Sequence, residues 1–433
     1  VNPPTTLVAH DRSAEGTRRE APGDIDARLP RWPASIVRRR FLAAGDSIVD
    51  GALELELPDG TSVHFGDPEH PRRARLHIRS ERIWARLLRR RRFAPGEAFV
   101  AGEWDSEDPA TVLEILARAT ERARVAAARP AYPLARLRPH LPRRNGHKRA
   151  RSYVQRHYDL GNDLFGAFLD PTMTYSCAVF ERDDQTLEEA QIAKYDRICR
   201  KLQLAPGMRV LEIGCGWGGF AIHAATRYGV HVTGVTISTE QHALALERVR
   251  EAGLEDLVDV QLADYRTLDG SFDRIASIEM FEAIGEREFN TYFRTVDRLL
   301  ATNGIACVQT IALADQRWDG YRRTRDWIQE NIFPGGLLPS IEAISTSMRR
   351  SSELVLHDLE EIGIHYARTL REWRSAFLAA GGDLNAAGYD QRFQRIWEYY
   401  LAFCEAGFEA RLLRDVQLVL TRPMNDALLP VRP

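Results

Sequence analysis

The chain has 433 residues, a formal net charge of −2, 44% hydrophobic residues and 28% charged residues. That length allows two or three domains with a buried core, the charge gives no whole-chain field for nucleic acid, and no run nears the roughly 20 apolar residues of a membrane-spanning helix. The cysteines Cys177, Cys199, Cys215, Cys307 and Cys404 form no C-x-x-C pair, which argues against a zinc knuckle or a disulfide framework and for a cytoplasmic setting.

Residues 1–30 are polar and rich in Pro, Arg and Asp, and read as a disordered lead. Residues 31–128 read as a small α+β domain for lipid or partner binding. Leu53, Leu55 and Leu57 alternate, Pro58-Asp59-Gly60 turns the chain, and Thr61, Val63 and Phe65 alternate again, which predicts a hairpin. Ala74, Leu76 and Ile78 predict a further strand. One helix is expected from Glu81, and Asp108 followed by Pro109 announces another. Residues 129–151 form a Pro- and Arg-rich connection that carries Arg136, Arg138, Arg143, Arg144, Lys148, Arg149 and Arg151 without an acid. It reads either as a solvated linker or as a patch for anionic lipid head groups, to which Arg89–Arg92 could add.

Residues 152–433 carry the chemistry. Strands are expected at 208–213, 230–236, 258–262, 272–278, 304–311, 353–358 and 416–422. Helices are expected near 218–228, 240–252, 288–301, 368–379 and 391–405. Strands alternating with helices predict an α/β fold with a parallel, doubly wound, seven-stranded Rossmann-like sheet. The run Val210-Leu211-Glu212-Ile213-Gly214-Cys215-Gly216-Trp217-Gly218-Gly219 takes an apolar strand through a glycine-dense turn into a helix. Its Gly214, Gly216 and Gly219 match G-x-G-x-x-G, which would also suit a dinucleotide. Two features oppose that reading. No acid stands about 20 residues on, where a dinucleotide ribose would need one, until Glu240. Glu212 beside the loop would repel a pyrophosphate, yet it suits S-adenosylmethionine, which carries a sulfonium and an ammonium and no phosphate.

Further stretches resemble the cyclopropane-fatty-acid synthase family of class I methyltransferases. They are Tyr158–Phe165, Phe168–Ala178, the glycine loop, Gly234–Ser238 with Gln241, Ser277–Gly285, Ile332–Gly336, and His365-Tyr366 with Thr369, Leu370 and Trp373. The resemblance spans about 152–422, and the N-terminal part resembles the extra domain of longer members. It implies transfer of a one-carbon unit from S-adenosylmethionine to the cis double bond of an unsaturated acyl chain in a membrane phospholipid, giving a cyclopropane ring. The alternative product is a methylene branch. It also implies peripheral contact with the anionic inner face of the cell membrane and a homodimer.

By the same resemblance, Tyr175 and Ser176 close over the methionine part of the cofactor and Gly214 and Gly216 line it, with Glu212 beside them. Thr236, Ile237 and Gln241 contact the ribose region, and Tyr265, after Asp264, packs by the adenine. The family holds a bicarbonate ion as base, and Cys177, Glu282 and Tyr366 match positions around it, with Ile311 contributing backbone. Gln309 stands where many members have His. It can donate and accept hydrogen bonds but takes no proton at neutral pH.

Attack of the alkene on the sulfonium methyl leaves a carbocation, so the site should be dry, and Tyr175, Phe281, Tyr366 and Trp373 are candidates to face it, though core packing would also explain them. Cys177 reads as a buried thiol rather than a nucleophile. His157, His223, His242 and His365 show no ligand spacing, so no metal is expected. The apolar stretch 333–339, within an insertion at about 312–350, is expected to wall an acyl tunnel. Two competing readings are a nicotinamide oxidoreductase on the same sheet and a non-catalytic lipid-binding protein with a relic pocket.

Overall fold

The computed structural model describes residues 31–126, 161–426 and 428. The expected lead at 1–30, the basic connection at 129–151, His157 and the start of the Tyr158–Phe165 motif lie outside the described residues.

The first part is built on helix α1 (Arg31–Gly45), strands β1 (Ala52–Glu56), β2 (Ser62–Gly66) and β3 (Arg73–Ile78), helices α2 (Arg82–Arg90) and α3 (Ala94–Val100), strand β4 (Trp104–Asp105) and helix α4 (Pro109–Ala126). The expected hairpin forms, with Leu53 opposite Phe65 and Leu55 opposite Val63, and β3 runs parallel to β1 on its other side. Leu53, Leu55, Leu57, Leu76 and Ile78 are buried, each worth roughly 1.5–3 kcal/mol on full burial. Asp108 caps α4 by accepting the Thr111 amide at 3.3 Å and its hydroxyl at 2.6 Å.

The second part adds α5 (Asn162–Gly166), α6 (Leu187–Lys201), β5 (Arg209–Ile213), α7 (Gly219–Tyr228), β6 (His231–Thr236), α8 (Thr239–Glu251), β7 (Val258–Leu262), β8 (Phe272–Ile278), α9 (Phe289–Leu299) and β9 (Leu300–Leu313). Then follow α10 (Asp315–Tyr321), α11 (Trp327–Asn331), α12 (Ile341–Ser351), β10 (Val355–Glu361), α13 (Tyr366–Ala379), α14 (Gly381–Ala386), α15 (Gln391–Glu409) and β11 (Leu413–Thr421). Strands β5 to β11 form one seven-stranded sheet in the order β10-β11-β9-β8-β5-β6-β7. The expectation of a wholly parallel sheet is corrected at one strand. The last strand, β11, slots between β9 and β10 and runs antiparallel to both. The other neighbouring pairs are parallel.

The first sheet shares one apolar cluster with helices of the second part. Helix α15 carries Trp397, Tyr399 and Leu401 into the same buried cluster as Leu55, Phe99 and Trp104. Polar ties cross the junction as well, from Arg118 to the Glu409 carbonyl at 2.6 Å and from Arg395 to the Phe99 carbonyl at 2.8 Å.

Candidate active site

Chain order reverses between β5 and β8. From β5 the chain proceeds outward through β6 and β7, then returns to β8 and β9 on the other side. A ligand crevice is expected at such a point, beyond the carboxyl ends of the strands. A cavity lies there. It is lined from β5 and the loop after it by Glu212, Gly214 and Gly216, from the end of β6 and just beyond by Thr236 and Ile237, from α8 by Gln241, and from the turn after β7 by Asp264 and Tyr265. Tyr175 and Ser176 complete it, so all ten residues expected to bind the cofactor line one cavity.

The local chemistry fits S-adenosylmethionine. Gly214 and Gly216 adopt φ of +83° and +53°, which L side chains rarely do, and a Cβ on Gly214 would sit 2.8 Å from Met280. Thr236 donates its hydroxyl to Gln241 Oε1 at 2.7 Å, which fixes both side chains at the rim of β6. Glu212 is buried, its Oε2 has no protein partner, and burial pushes its carboxyl up to about 8. A cation brought beside it would relieve that cost. Tyr265 has a buried hydroxyl without a partner, while Arg266 pairs with Asp264 at 2.6 Å. These groups would hold the cofactor, whose sulfonium supplies an electrophilic methyl.

Behind the cavity lies a buried polar cluster. Of the residues expected to surround a bicarbonate ion, Cys177, Gln309 and Tyr366 converge, but on Glu279, a residue of the chain with no role assigned from the sequence. Glu279 Oε1 accepts the Cys177 amide at 2.7 Å and Gln309 Nε2 at 2.9 Å, and Oε2 accepts the Tyr366 hydroxyl at 2.5 Å. Glu282 stands apart, taking the Ile311 amide on Oε1 while its Oε2 has no protein partner. Burial and the neighbouring Glu279 push Glu282 up to about 8. A bicarbonate ion does not fit this arrangement, because the donors expected to hold it are already bonded to a carboxylate.

Gln309 is oriented by a one-way chain of donors. Lys201 can only donate, and its ammonium bonds Gln417 Oε1 at 2.8 Å. Gln417 therefore donates its amide to Gln309 Oε1 at 3.1 Å, and Gln309 must turn its own NH₂ toward Glu279 and Asp415, each at 2.9 Å. Lys194 is also buried. It donates to Ser176 Oγ at 2.7 Å, and burial lowers its ammonium to about 8. Lys194, Lys201, Gln417 and Asp415 were not singled out from the sequence. Their signal is tertiary, since Lys194 and Lys201 come from α6 and Asp415 and Gln417 from β11, far apart in the sequence.

Phe281, Trp373 and the stretch 333–339 do not line the cofactor cavity. Phe281 packs against Phe289, Tyr292 and Phe293, away from the cavity, and is core. Trp373 is fully buried and reaches Tyr175 and Tyr366 as a packing partner. The stretch 333–339 lines none of the cavity. Its Leu337 amide instead bonds the Glu282 carbonyl at 2.8 Å and Phe333 packs on Tyr400. The Cys177 thiol is buried against the Ile362 carbonyl, and burial raises it well above the thiol range, which removes it as a nucleophile. His223 pairs with Asp196 at 2.9 Å and His242 meets the Val260 carbonyl at 3.1 Å.

Comparison with known proteins supplies the family. The family model described as mycolic acid cyclopropane synthetase matches residues 145–418. The chain is 39% identical to the tuberculostearic acid methyltransferase UfaA1 of Mycobacterium tuberculosis, over 90% of this chain and 95% of that protein. It is also 39% identical to the cyclopropane-fatty-acyl-phospholipid synthase of Escherichia coli strain K12, over 87% of this chain and 94% of that one. The crystal structure of the mycolic acid cyclopropane synthase CmaA1 complexed with SAH and CTAB superposes with a TM-score of 0.58 at 34% identity, covering 66% of this chain and 100% of its own. With its glycine-lined crevice at the switch point of the sheet, the chain belongs to the mycolic acid cyclopropane synthetase family and is an S-adenosylmethionine-dependent methyltransferase.

Proposed function

We propose that this enzyme transfers a one-carbon unit from S-adenosylmethionine to the cis double bond of an unsaturated acyl chain in a membrane phospholipid and leaves a cyclopropane ring. The supporting observation is the extent of the match. The phospholipid synthase from Escherichia coli aligns over 384 residues of the chain, whereas cyclopropane mycolic acid synthase 1 aligns over 261. The phospholipid relative thus shares the first sheet and its helices as well as the seven-stranded sheet.

The second reading is a methylene branch in place of the ring. It is favoured by the equal identity to a protein named as a methyltransferase rather than a cyclopropane synthase. Both products share the transfer step and differ in whether a hydride shifts before the proton leaves. Mass spectrometry of lipids from a host expressing the chain tests the proposal. A gain of one CH₂ on unsaturated phospholipid chains that resist ozonolysis supports the ring, and ozonolysis at an exocyclic alkene supports the branch. Unchanged lipids would contradict both.

The enzyme must reach acyl chains in a bilayer, and we place its docking surface at α2. Arg89, Arg91 and Arg92 are exposed there beside the exposed Leu88, a pairing suited to an anionic interface at the inner face of the membrane.

A further inference from the structure

Glu279 has the position, the partners and the backbone of a reacting group. It lines the cofactor cavity, whereas Glu282 and Asp415 do not. Its φ of +50° lies in the left-handed region, which is costly for a residue with a Cβ and recurs at functional sites. The carbonyl of Gln309 holds that backbone by accepting the Glu279 amide at 2.9 Å. Both carboxylate oxygens are bonded to donors drawn from three separate places: the Cys177 amide, Tyr366 on α13, and Gln309 on β9, which the Lys201 chain orients.

The surrounding charges favour a carboxylate at this one position. Burial and the nearby acids push Asp415 well above the carboxylate range, and burial and Glu279 push Glu282 up to about 8, so both are shifted toward the neutral acid. Glu279 is raised by burial too, but three donors and the Lys194 charge oppose the shift. The three donors on Glu279 favour its charged form, on the group that faces the cavity.

We propose that Glu279 is the general base of this enzyme, a carboxylate of the chain itself in the place where a bicarbonate ion was expected, so that turnover requires no bicarbonate. The inference rests on the reaction class proposed above. The π pair of the alkene forms a bond to the methyl carbon, the carbon–sulfur pair stays on sulfur, and the other alkene carbon becomes a cation. A C–H bond of the added carbon then gives its proton to Glu279, and its electron pair closes the ring onto the cation. A hydride shift before that step leaves the same proton to the same base and yields the methylene branch. The carboxylic acid so formed releases its proton to solvent after product leaves.

The test uses the full-length enzyme in carbon dioxide-free buffer, with and without added bicarbonate. Wild-type turnover is expected to be the same in both. Glu279→Gln should lose about 100-fold or more in kcat while still binding S-adenosylhomocysteine. Glu279→Gly suits the positive φ and exposes the Cys177, Gln309 and Tyr366 donors, so bicarbonate should restore its turnover. Isotope-labelled bicarbonate followed by NMR should bind Glu279→Gly and not the wild type, each with S-adenosylhomocysteine present. Wild-type turnover that falls without bicarbonate, a Glu279→Gln enzyme of normal activity, or wild-type binding of bicarbonate would each overturn the inference. Should the variants fail to fold, the two wild-type measurements still decide. A wild type inactive on unsaturated phospholipid in every buffer would count against the proposed substrate, and the bicarbonate-binding result would still decide the role of Glu279.

Discussion

Glu212 combines burial with an ionisable carboxyl beside a pocket for a cation. At pH 7 a carboxyl pushed up to about 8 is protonated in the free protein. A sulfonium and an ammonium favour the carboxylate, so binding expels a proton. S-adenosylmethionine affinity should therefore tighten by up to about tenfold per unit between about pH 6 and 8 and flatten above. Calorimetric titration in two buffers of different protonation enthalpy reads the released proton. The Glu212→Gln protein should show neither the release nor the slope, and a flat wild-type profile would contradict this role. Residues of the cofactor pocket were legible because they sit in short contiguous motifs around the glycine loop. Glu279 was equally visible, three positions before Glu282, yet matching by motif placed Glu282, and not Glu279, among the residues around the expected bicarbonate ion. The contacts from Cys177, Gln309 and Tyr366, the cavity lining and the positive φ distinguish the two acids.

At the scale of elements, the strand and helix positions of the large sheet followed from apolar periodicity and caps. The direction of β11 did not, because alternation of side chains reads the same along either sense of a strand. β11 follows α15 in the chain and enters between β9 and β10, antiparallel to both. The packing between α3, α11 and α15 was likewise invisible, since Gly96 looks like any glycine in a sequence. A Cβ at Gly96 would lie 2.5 Å from Trp327 Nε1 and 2.7 Å from a Tyr399 ring carbon, both in rigid aromatic side chains. Gly96→Ala should therefore destabilise the protein by about 1–3 kcal/mol. A denaturant midpoint checks this, and an unchanged midpoint would show that the aromatic cluster yields at no cost. Within the insertion at about 312–350, Trp327 buries against Tyr399 with ring centroids 4.7 Å apart.

For the whole molecule, the shared core makes the first sheet part of the same folded body as the active site, so a surface on α2 can hold the crevice near a bilayer. Exposed arginines near an anionic surface contribute about 1 kcal/mol each. Binding to anionic vesicles should fall with added salt, and replacing Arg89, Arg91 and Arg92 together by Glu should weaken it while leaving S-adenosylhomocysteine binding unchanged. Equal binding to neutral vesicles would remove this surface from the account. The most direct test of the central claim is to incubate the purified enzyme with S-adenosylmethionine bearing a trideuterated methyl group and vesicles of a cis-monounsaturated phospholipid, then to analyse the acyl chains by mass spectrometry. Transfer followed by loss of one proton from the added carbon predicts a product that keeps two of the three deuterons. A product keeping all three, or acyl chains without deuterium, would contradict it.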